Sequence, residues 1–243
     1  MTEISMSNLA EGAEKLGATL DSYQLNLFEI YYRDLVDWNN RVNLTAITDV
    51  GDVQIKHFLD SLTLLPLIKR ISSESFRIID VGTGAGFPGI PLKIAIPDIK
   101  MTLLEATTKK ARFLEHIITE IQLSDIEVIN ERAEEAGKKS DYRESFDIVV
   151  SRAVADLAIL AELTLPFCAV GGFLIAQKKG DITLELEKSL KAIEMLGGRL
   201  SSVEKIRLAG LDDERYLVVI DKIKATPLKY PRRPGMPEKR FLR

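Results

Sequence analysis

The chain has 243 residues, 46% apolar and 28% charged, which supports one large domain, or a domain with an appendage, around a real core. A formal charge of −3 argues against a protein that coats nucleic acid non-specifically, and the single cysteine, Cys168, excludes an internal disulfide and a cysteine-based zinc cluster. The first residues, MTEISMSNLAEGAEK, lack the basic and apolar regions of a secretory signal, and the longest uncharged apolar run, LTLPFCAVGGFLIA, falls short of the ~20 residues of a spanning helix. No membrane contact and a cytoplasmic location are the expectations. With His57 and His116 as the only histidines, no metal site is expected.

Up to about residue 70 the pattern is helical. Leu25, Phe28, Tyr32, Leu35 and Trp38 recur at three- and four-residue steps behind Asp21, a candidate N-cap, and Val50, Val53, His57, Leu62 and Leu65 extend a second stripe that ends near Pro66. Trp38, Asn39 and Asn43 are expected to hold this region together. From Phe76 the pattern changes to short apolar runs, RIIDVG, MTLLEA, IEVIN, FDIVVSRA, GFLIAQK and RYLVVID, alternating with amphipathic helix-length stretches. Continuous apolar strands separated by helices mean a parallel sheet covered on both faces. LSSVEKIRL adds a strand joined to RYLVVID by the short AGLDDE, which permits antiparallel pairing but no crossover helix. The apolar run around Cys168 divides into a buried helix, a turn and a strand. The expected division is a helical cap over 1–70, an α/β domain over 71–225 and a basic, proline-rich segment over 226–243.

Between the first strand and its helix lies the glycine-dense DVGTGAGFPG, Asp80 to Gly89, with Pro88 suited to the helix's first turn. In a doubly wound sheet this turn floors the crevice where ligands bind. Two frames compete. Gly84-x-Gly86-x-x-Gly89 satisfies the dinucleotide fingerprint, with Glu105 about 20 residues on as a ribose ligand, and points to a nicotinamide-dependent oxidoreductase. Asp80-x-Gly82-x-Gly84-x-Gly86 resembles motif I of the class I S-adenosylmethionine methyltransferases, in which an acid at the end of the second strand takes the ribose hydroxyls. The antiparallel end of the sheet favours the second frame. No Gly-Lys-Ser/Thr follows, so a Walker A loop is excluded.

Further stretches narrow the choice. NERAEE puts Ala133 and Glu134 after the third strand, where an adenine edge would lie, and SRAVADL puts Ser151 and Arg152 at the mouth of the crevice. HFLDSL brings His57 and Ser61 onto one helix face, as a wall of the pocket or as a polar cluster between helices and sheet. The tail carries Lys222, Lys224, Lys229, Arg232, Arg233, Lys239, Arg240 and Arg243 against Glu238 alone, so it reads as an arm toward a polyanion on an otherwise acidic body. Its prolines argue for an extended path.

WNNRVNLTAIT, HFLDSL, DVGTGAGFPGIPLKI, RAE, SRAVADL and YPRRPGMPEKRFL, in this order, resemble the small-subunit rRNA methyltransferase G family (RsmG, or GidB), and together they span nearly the whole chain. The resemblance implies an α/β fold of the class I S-adenosylmethionine-dependent methyltransferases, a mostly parallel seven-stranded sheet with an antiparallel terminal strand, extended by N-terminal helices. It implies methylation of guanine N7 in the 530 loop of 16S rRNA, with S-adenosylmethionine as cofactor and 16S rRNA, free or in the small ribosomal subunit, as partner of a monomer. Carried onto matching positions, it implies cofactor contacts at Gly82, Phe87, Ala133, Glu134 and Arg152. The motif I frame adds Asp80, Gly84, Gly86 and Glu105. Arg232 and Arg233 are expected to reach phosphates, with His57 and Ser61 as further RNA-side candidates. A non-catalytic ribosome-assembly module with a vestigial pocket is the rival to both enzyme readings. No catalytic base is expected, because guanine N7 has no proton to lose.

Overall fold

The computed structural model describes residues 4–71, 76–152, 155–208, 210–211 and 213–242. Ala153 and Val154 of the SRAVADL stretch, Ala209 and Asp212 of the AGLDDE connection, and Arg243 of the tail lie outside the described residues.

The N-terminal region folds as α1 (Ser7–Lys15), α2 (Ser22–Val42), a one-turn α3 (Val50–Val53), a π-helical stretch (Gln54–Leu59), α4 (Asp60–Leu62) and α5 (Leu65–Ile71). Asp21 caps α2 as expected: its carboxylate accepts from Gln24 N at 2.8 Å, and the Gln24 side chain accepts from Asp21 N at 3.0 Å. At the other end Asn43 adopts a left-handed conformation, and Asn39 Oδ1 accepts from Thr45 N, so both asparagines serve the helix end. The expected stripe of α2 is corrected by one face. Its buried residues are Leu27, Phe28, Tyr31 and Leu35, while Leu25, Tyr32 and Trp38 lie at the edges of that face. Pro66 is also corrected, because it opens α5 instead of ending a helix, in the first turn where its missing N–H costs no helical bond.

The remaining elements alternate: β1 (Arg77–Val81), α6 (Gly89–Ala95), β2 (Lys100–Leu104), α7 (Thr108–Glu120), β3 (Ile126–Ile129), α8 (Ala133–Ala136), β4 (Phe146–Arg152), α9 (Leu157–Thr164), β5 (Cys168–Lys179), α10 (Thr183–Met195), β6 (Gly198–Ile206), β7 (Arg215–Lys222) and α11 (Met236–Lys239). Seven strands form one sheet in the order β3-β2-β1-β4-β5-β7-β6, all parallel except β7, which runs antiparallel to β5 and to β6. The expected antiparallel pair is present, with the last strand, β7, inserted between β5 and β6 and β6 left at the edge. Pro88 precedes α6 as its N-cap and does not enter its first turn. The tail does not follow the expected extended path: it turns at 228–229 and 234–235 and contains the short α11.

Alternate residues of the strands feed two apolar layers. Ile78, Leu103, Ile148, Val150 and Ile175 face a cluster that includes the N-terminal helices, α6 and α7. Ile79, Leu104, Val149, Leu174 and Val218 face a second cluster with α9 and α10, which Tyr230 and Leu242 of the tail complete. The chain order reverses between β1 and β4, so the crevice opens beyond the carboxyl ends of these two strands, where the glycine loop begins. Among the described residues no helix is long and apolar enough to cross a membrane.

Candidate functional site

The glycine loop leaves β1 through Gly82, Gly84 and Gly86, with φ of 73°, 63° and 101°, values that residues with a Cβ rarely adopt. A Cβ at Gly84 would meet nothing within 4 Å, so this glycine borders open space. One at Gly86 would strike Ile90 Cδ1 and Tyr31 Oη, each at 2.6 Å. Gly89 faces the sheet, where a Cβ would lie 2.4 Å from Leu103 Cδ2.

Asp80 shapes the loop from beneath. It is fully buried, and its Oδ2 accepts from Thr83 Oγ1 at 2.6 Å and from Gly89 N at 2.8 Å, while Oδ1 has no partner among the described residues. Burial raises its carboxyl to a pKa of about 6, against the opposing hydrogen bonds and the Arg152 charge. Glu105, at the end of β2, holds the loop from the side: Oε2 accepts from Gly84 N at 3.0 Å and Oε1 from Thr107 N at 2.7 Å. Each oxygen keeps a second lone pair, the requirement for a ribose hydroxyl ligand. Asn130 Nδ2 donates to Glu105 O at 2.8 Å and joins the end of β3 to this rim. Just beyond, Ala133 and Glu134 open α8, and Glu134 is 6% exposed.

On the other side of the loop an aromatic stack carries Phe87. Its ring lies 4.7 Å from that of His57, nearly parallel at 16°, and 5.4 Å from Tyr31. The Arg152 guanidinium stands 5.0 Å above the same ring. Arg152 Nη1 also donates to Asp60 Oδ2 at 2.9 Å, and Arg215 reaches Asp60 Oδ1 at 3.3 Å, so one buried carboxylate holds two guanidiniums. Burial first, and the Arg152 charge second, lower the pKa of His57 to about 4, so it is neutral at physiological pH. Thr45 Oγ1 accepts from Ile47 N at 3.0 Å and is hydrogen-bonded to His57 Nε2 at 2.7 Å. The other ring nitrogen, Nδ1, is buried and without a partner among the described residues.

Lys56, His57, Asp60, Arg152, Gln177, Lys178, Lys179 and Arg215 line a cleft of about 610 Å³. Gln177 Nε2 donates to Asp60 O at 2.8 Å and Thr63 Oγ1 at 3.1 Å, which orients the amide and leaves Oε1 as a buried acceptor with no partner among the described residues. Lys178 is paired with Glu185. The cleft thus adjoins the glycine loop across Phe87 and Arg152, and five cations line it against the carboxylates of Asp60, Asp156 and Glu185.

The structure gathers Gly82, Gly84, Gly86, Asp80, Glu105, Phe87 and Arg152 around the glycine loop, with Ala133 and Glu134 following β3 and His57 stacked on Phe87 beside the cleft. Ser61 is fully buried, its hydroxyl donated to His57 O at 2.6 Å. Arg232, expected to reach phosphates, is committed elsewhere: it makes a two-pronged pair with Glu162, Nε and Nη2 lying 2.8 and 2.6 Å from Oε1 and Oε2. Its partner is nearly fully buried, so the arginine serves to dock the tail. Arg233, Lys239 and Arg240 are exposed. Sequence reasoning missed Tyr31, Lys178 and Arg215, and placed Asp60 on the HFLDSL helix with His57 and Ser61 without its two guanidinium partners. Asp60 sat within a quoted motif, and its position one residue before Ser61 was the available signal.

The family model described as rRNA small subunit methyltransferase G matches residues 24–215. The chain belongs to this family. A relative from Dehalococcoides mccartyi (strain CBDB1), named ribosomal RNA small subunit methyltransferase G, is 53% identical over 234 residues, covering 96% of this chain and 98% of its own. One of the same name from Acetivibrio thermocellus is 46% identical over 231 residues, covering 95% and 94%. Among solved structures, a SAM dependent methyltransferase from Aquifex aeolicus superposes with a TM-score of 0.51 at 16% identity, over 72% of this chain and 94% of that one, a likeness of fold. The seven-stranded sheet with antiparallel β7 and its covering helices is the class I methyltransferase fold.

Proposed function

We propose that the protein transfers the methyl group of S-adenosylmethionine to N7 of a guanine in the 530 loop of 16S rRNA, acting in the cytoplasm on free rRNA or the small ribosomal subunit. The family supports rRNA methylation by this chain. Guanine N7 and the 530 loop follow from the sequence resemblance, and the site's chemistry is in keeping with them.

The residues of the crevice fit S-adenosylmethionine. Gly84 leaves room where the loop meets open space, Glu105 keeps lone pairs for ribose hydroxyls, and Glu134 offers a carboxylate for an adenine amine. When bound, this cofactor supplies a methyl group already activated on a sulfonium sulfur. Guanine N7 brings an in-plane lone pair and no proton, so the protein needs no general base. The protein's part is positioning, an effect that reaches ~7–11 kcal/mol in well-oriented systems.

The observation that carries this reading is the double engagement of Arg152. Its guanidinium lies over Phe87 of the glycine loop and is fixed by Asp60 in the cationic cleft. It therefore joins a cofactor crevice to a pocket whose charge suits a nucleotide and its phosphates. His57, neutral and stacked on Phe87, gives that junction a flat surface without adding charge.

The test is to map 7-methylguanosine by reductive cleavage on 16S rRNA from cells lacking the gene. Loss of one cleavage in the 530 loop, restored by the wild-type gene and not by Gly84→Asp, is the expected result. An unchanged pattern would refute the substrate assignment, and restoration by Gly84→Asp would refute the crevice assignment.

A further inference from the structure

We propose that the C-terminal segment is a working part of the cofactor site, with Arg232 as a positioning residue that acts through Gly235 on Glu134. This rests on the reading above, in which Glu134 meets the adenine amine.

The starting point is a long-range bond. Gly235 N donates to Glu134 Oε1 at 2.9 Å, across 101 residues of sequence. Among the described residues Oε1 takes that bond and Oε2 takes none. Glu134 stands in the first turn of a four-residue helix, too short to orient a two-carbon side chain by itself. Yet the residue is 6% exposed, so its carboxylate is mostly withdrawn from water and needs partners. One amide from the tail turns a mobile carboxylate into a directed one. It fixes Oε1 and leaves Oε2 to accept from a ligand's N–H.

Gly235 is brought to this position by a tail anchored at two places upstream of it. Upstream, Arg143 donates to Gly137 O, Thr226 O and Tyr230 O at 3.0, 2.7 and 2.9 Å, and Tyr230 is buried. Closer to Gly235, Arg232 N and its guanidinium both engage Glu162 on α9. Gly235 itself is left-handed, with φ of 75°, and a Cβ there would meet nothing within 4 Å, so glycine is needed for the backbone turn and not for space. Arg232 thus spends its charge on holding the turn that aims the Gly235 amide.

The alternative is that Glu134 merely helps to dock the tail. The two differ in ligand discrimination. A directed carboxylate recognises an amine at purine C6 and rejects an oxo group there, whereas a docking contact is indifferent to the purine.

The experiment is calorimetry on the full chain with S-adenosylhomocysteine and its 6-oxo analogue S-inosylhomocysteine, for wild type, Arg232→Ala, Arg232→Lys, Glu134→Ala and the Arg232→Ala/Glu134→Ala double variant. Wild type is expected to prefer the adenosyl ligand, and Arg232→Ala to lose about tenfold in affinity for it, the scale of one hydrogen bond to a charged group. The preference should shrink with it, Arg232→Lys should fall between, and Arg232→Ala should add nothing in the Glu134→Ala background. If Arg232→Ala does not fold, the Arg232→Lys preference decides in its place. Equal weakening of both ligands, or wild-type binding by the Arg232 variants beside an impaired Glu134→Ala, would overturn the role of the tail and leave Glu134 as a contact. Wild-type binding of both ligands by Glu134→Ala would instead remove the underlying reading, and this inference with it.

Discussion

The hydroxyl of Tyr31, on α2, donates to the carbonyl of Ala85 in the middle of the glycine loop. Helices that precede the sheet by some fifty residues therefore set the loop's shape from outside the α/β unit. Tyr31 is fully buried, and desolvation holds its phenol well above the usual pKa, so it stays a donor at every physiological pH. Tyr31→Phe removes the donor and strands a buried carbonyl. We expect a loss of about 1–3 kcal/mol in urea unfolding, with a weaker affinity for S-adenosylhomocysteine. Unaltered stability and affinity would show that the loop keeps its form without this contact.

Gly84 and Gly86 predict opposite outcomes from the same substitution. At Gly86 a methyl group would collide with Ile90 and with the Tyr31 hydroxyl, on top of a φ of 101°. Gly86→Ala should cost stability first, by 2 kcal/mol or more on the order-of-magnitude scale for overpacking plus left-handed strain. Gly84→Ala meets open space and bears only the strain of its φ, roughly 1–2 kcal/mol, but its methyl would enter the space proposed for the cofactor. Thermal unfolding and ligand titration together should separate them: Gly86→Ala chiefly lowers Tm, Gly84→Ala chiefly lowers affinity. The reverse ranking would mean that Gly84 does not border the ligand.

Much of this arrangement was legible because its signals are local. The apolar runs marked all seven strands, Asp21 capped its helix, and the short connection before Arg215 permitted an antiparallel partner but no crossover helix. Where reasoning from sequence failed, the deciding contact lay far away in the chain. Tyr31 and Tyr32 are adjacent, and helical periodicity accommodates either; only the position of the loop at Ala85 makes Tyr31 the buried one. Arg232 reads as a free cation in a basic tail until Glu162, 70 residues earlier, is seen to be buried beneath it. Asp60 likewise gains meaning only when β4 and β7 deliver Arg152 and Arg215 to it. The π-helical stretch that carries His57 follows from packing and has no local signature.

The cleft and the tail should contribute to RNA binding through charge. Lys179 lines the cleft and is exposed, and Arg233 is exposed in the tail. Neither belongs to the network around Asp60, so Lys179→Ala and Arg233→Ala should leave folding stability within about 0.5 kcal/mol of wild type. Each should lower affinity for a 16S rRNA fragment containing the 530 loop and flatten the dependence of log K on log salt by about 0.7–0.9 per charge removed. Filter binding at several salt concentrations measures both. A slope identical to wild type in the double variant would place the RNA elsewhere on the surface.

Asp80 and His57 should give the protein two opposed responses to pH. Folding raises the Asp80 carboxyl from its ordinary 3.8 to about 6, because burial disfavours the charge. The stability this contributes is complete below about pH 4 and is lost as pH rises through 6. Folding lowers His57 from 6.5 to about 4, again chiefly by burial and then by Arg152, so its contribution is complete above about pH 6.5 and is lost as pH falls through 4. Between these limits the two slopes offset each other in the wild type. Asp80→Asn removes the first, and stability should then climb with pH across the window by about 2–3 kcal/mol, the value of roughly two pKa units. His57→Gln removes the second, and stability should fall with pH by a similar amount. Urea titrations at half-unit steps from pH 4.5 to 7.5 measure these slopes, and parallel profiles for wild type and both variants would show that neither group is titrated by folding.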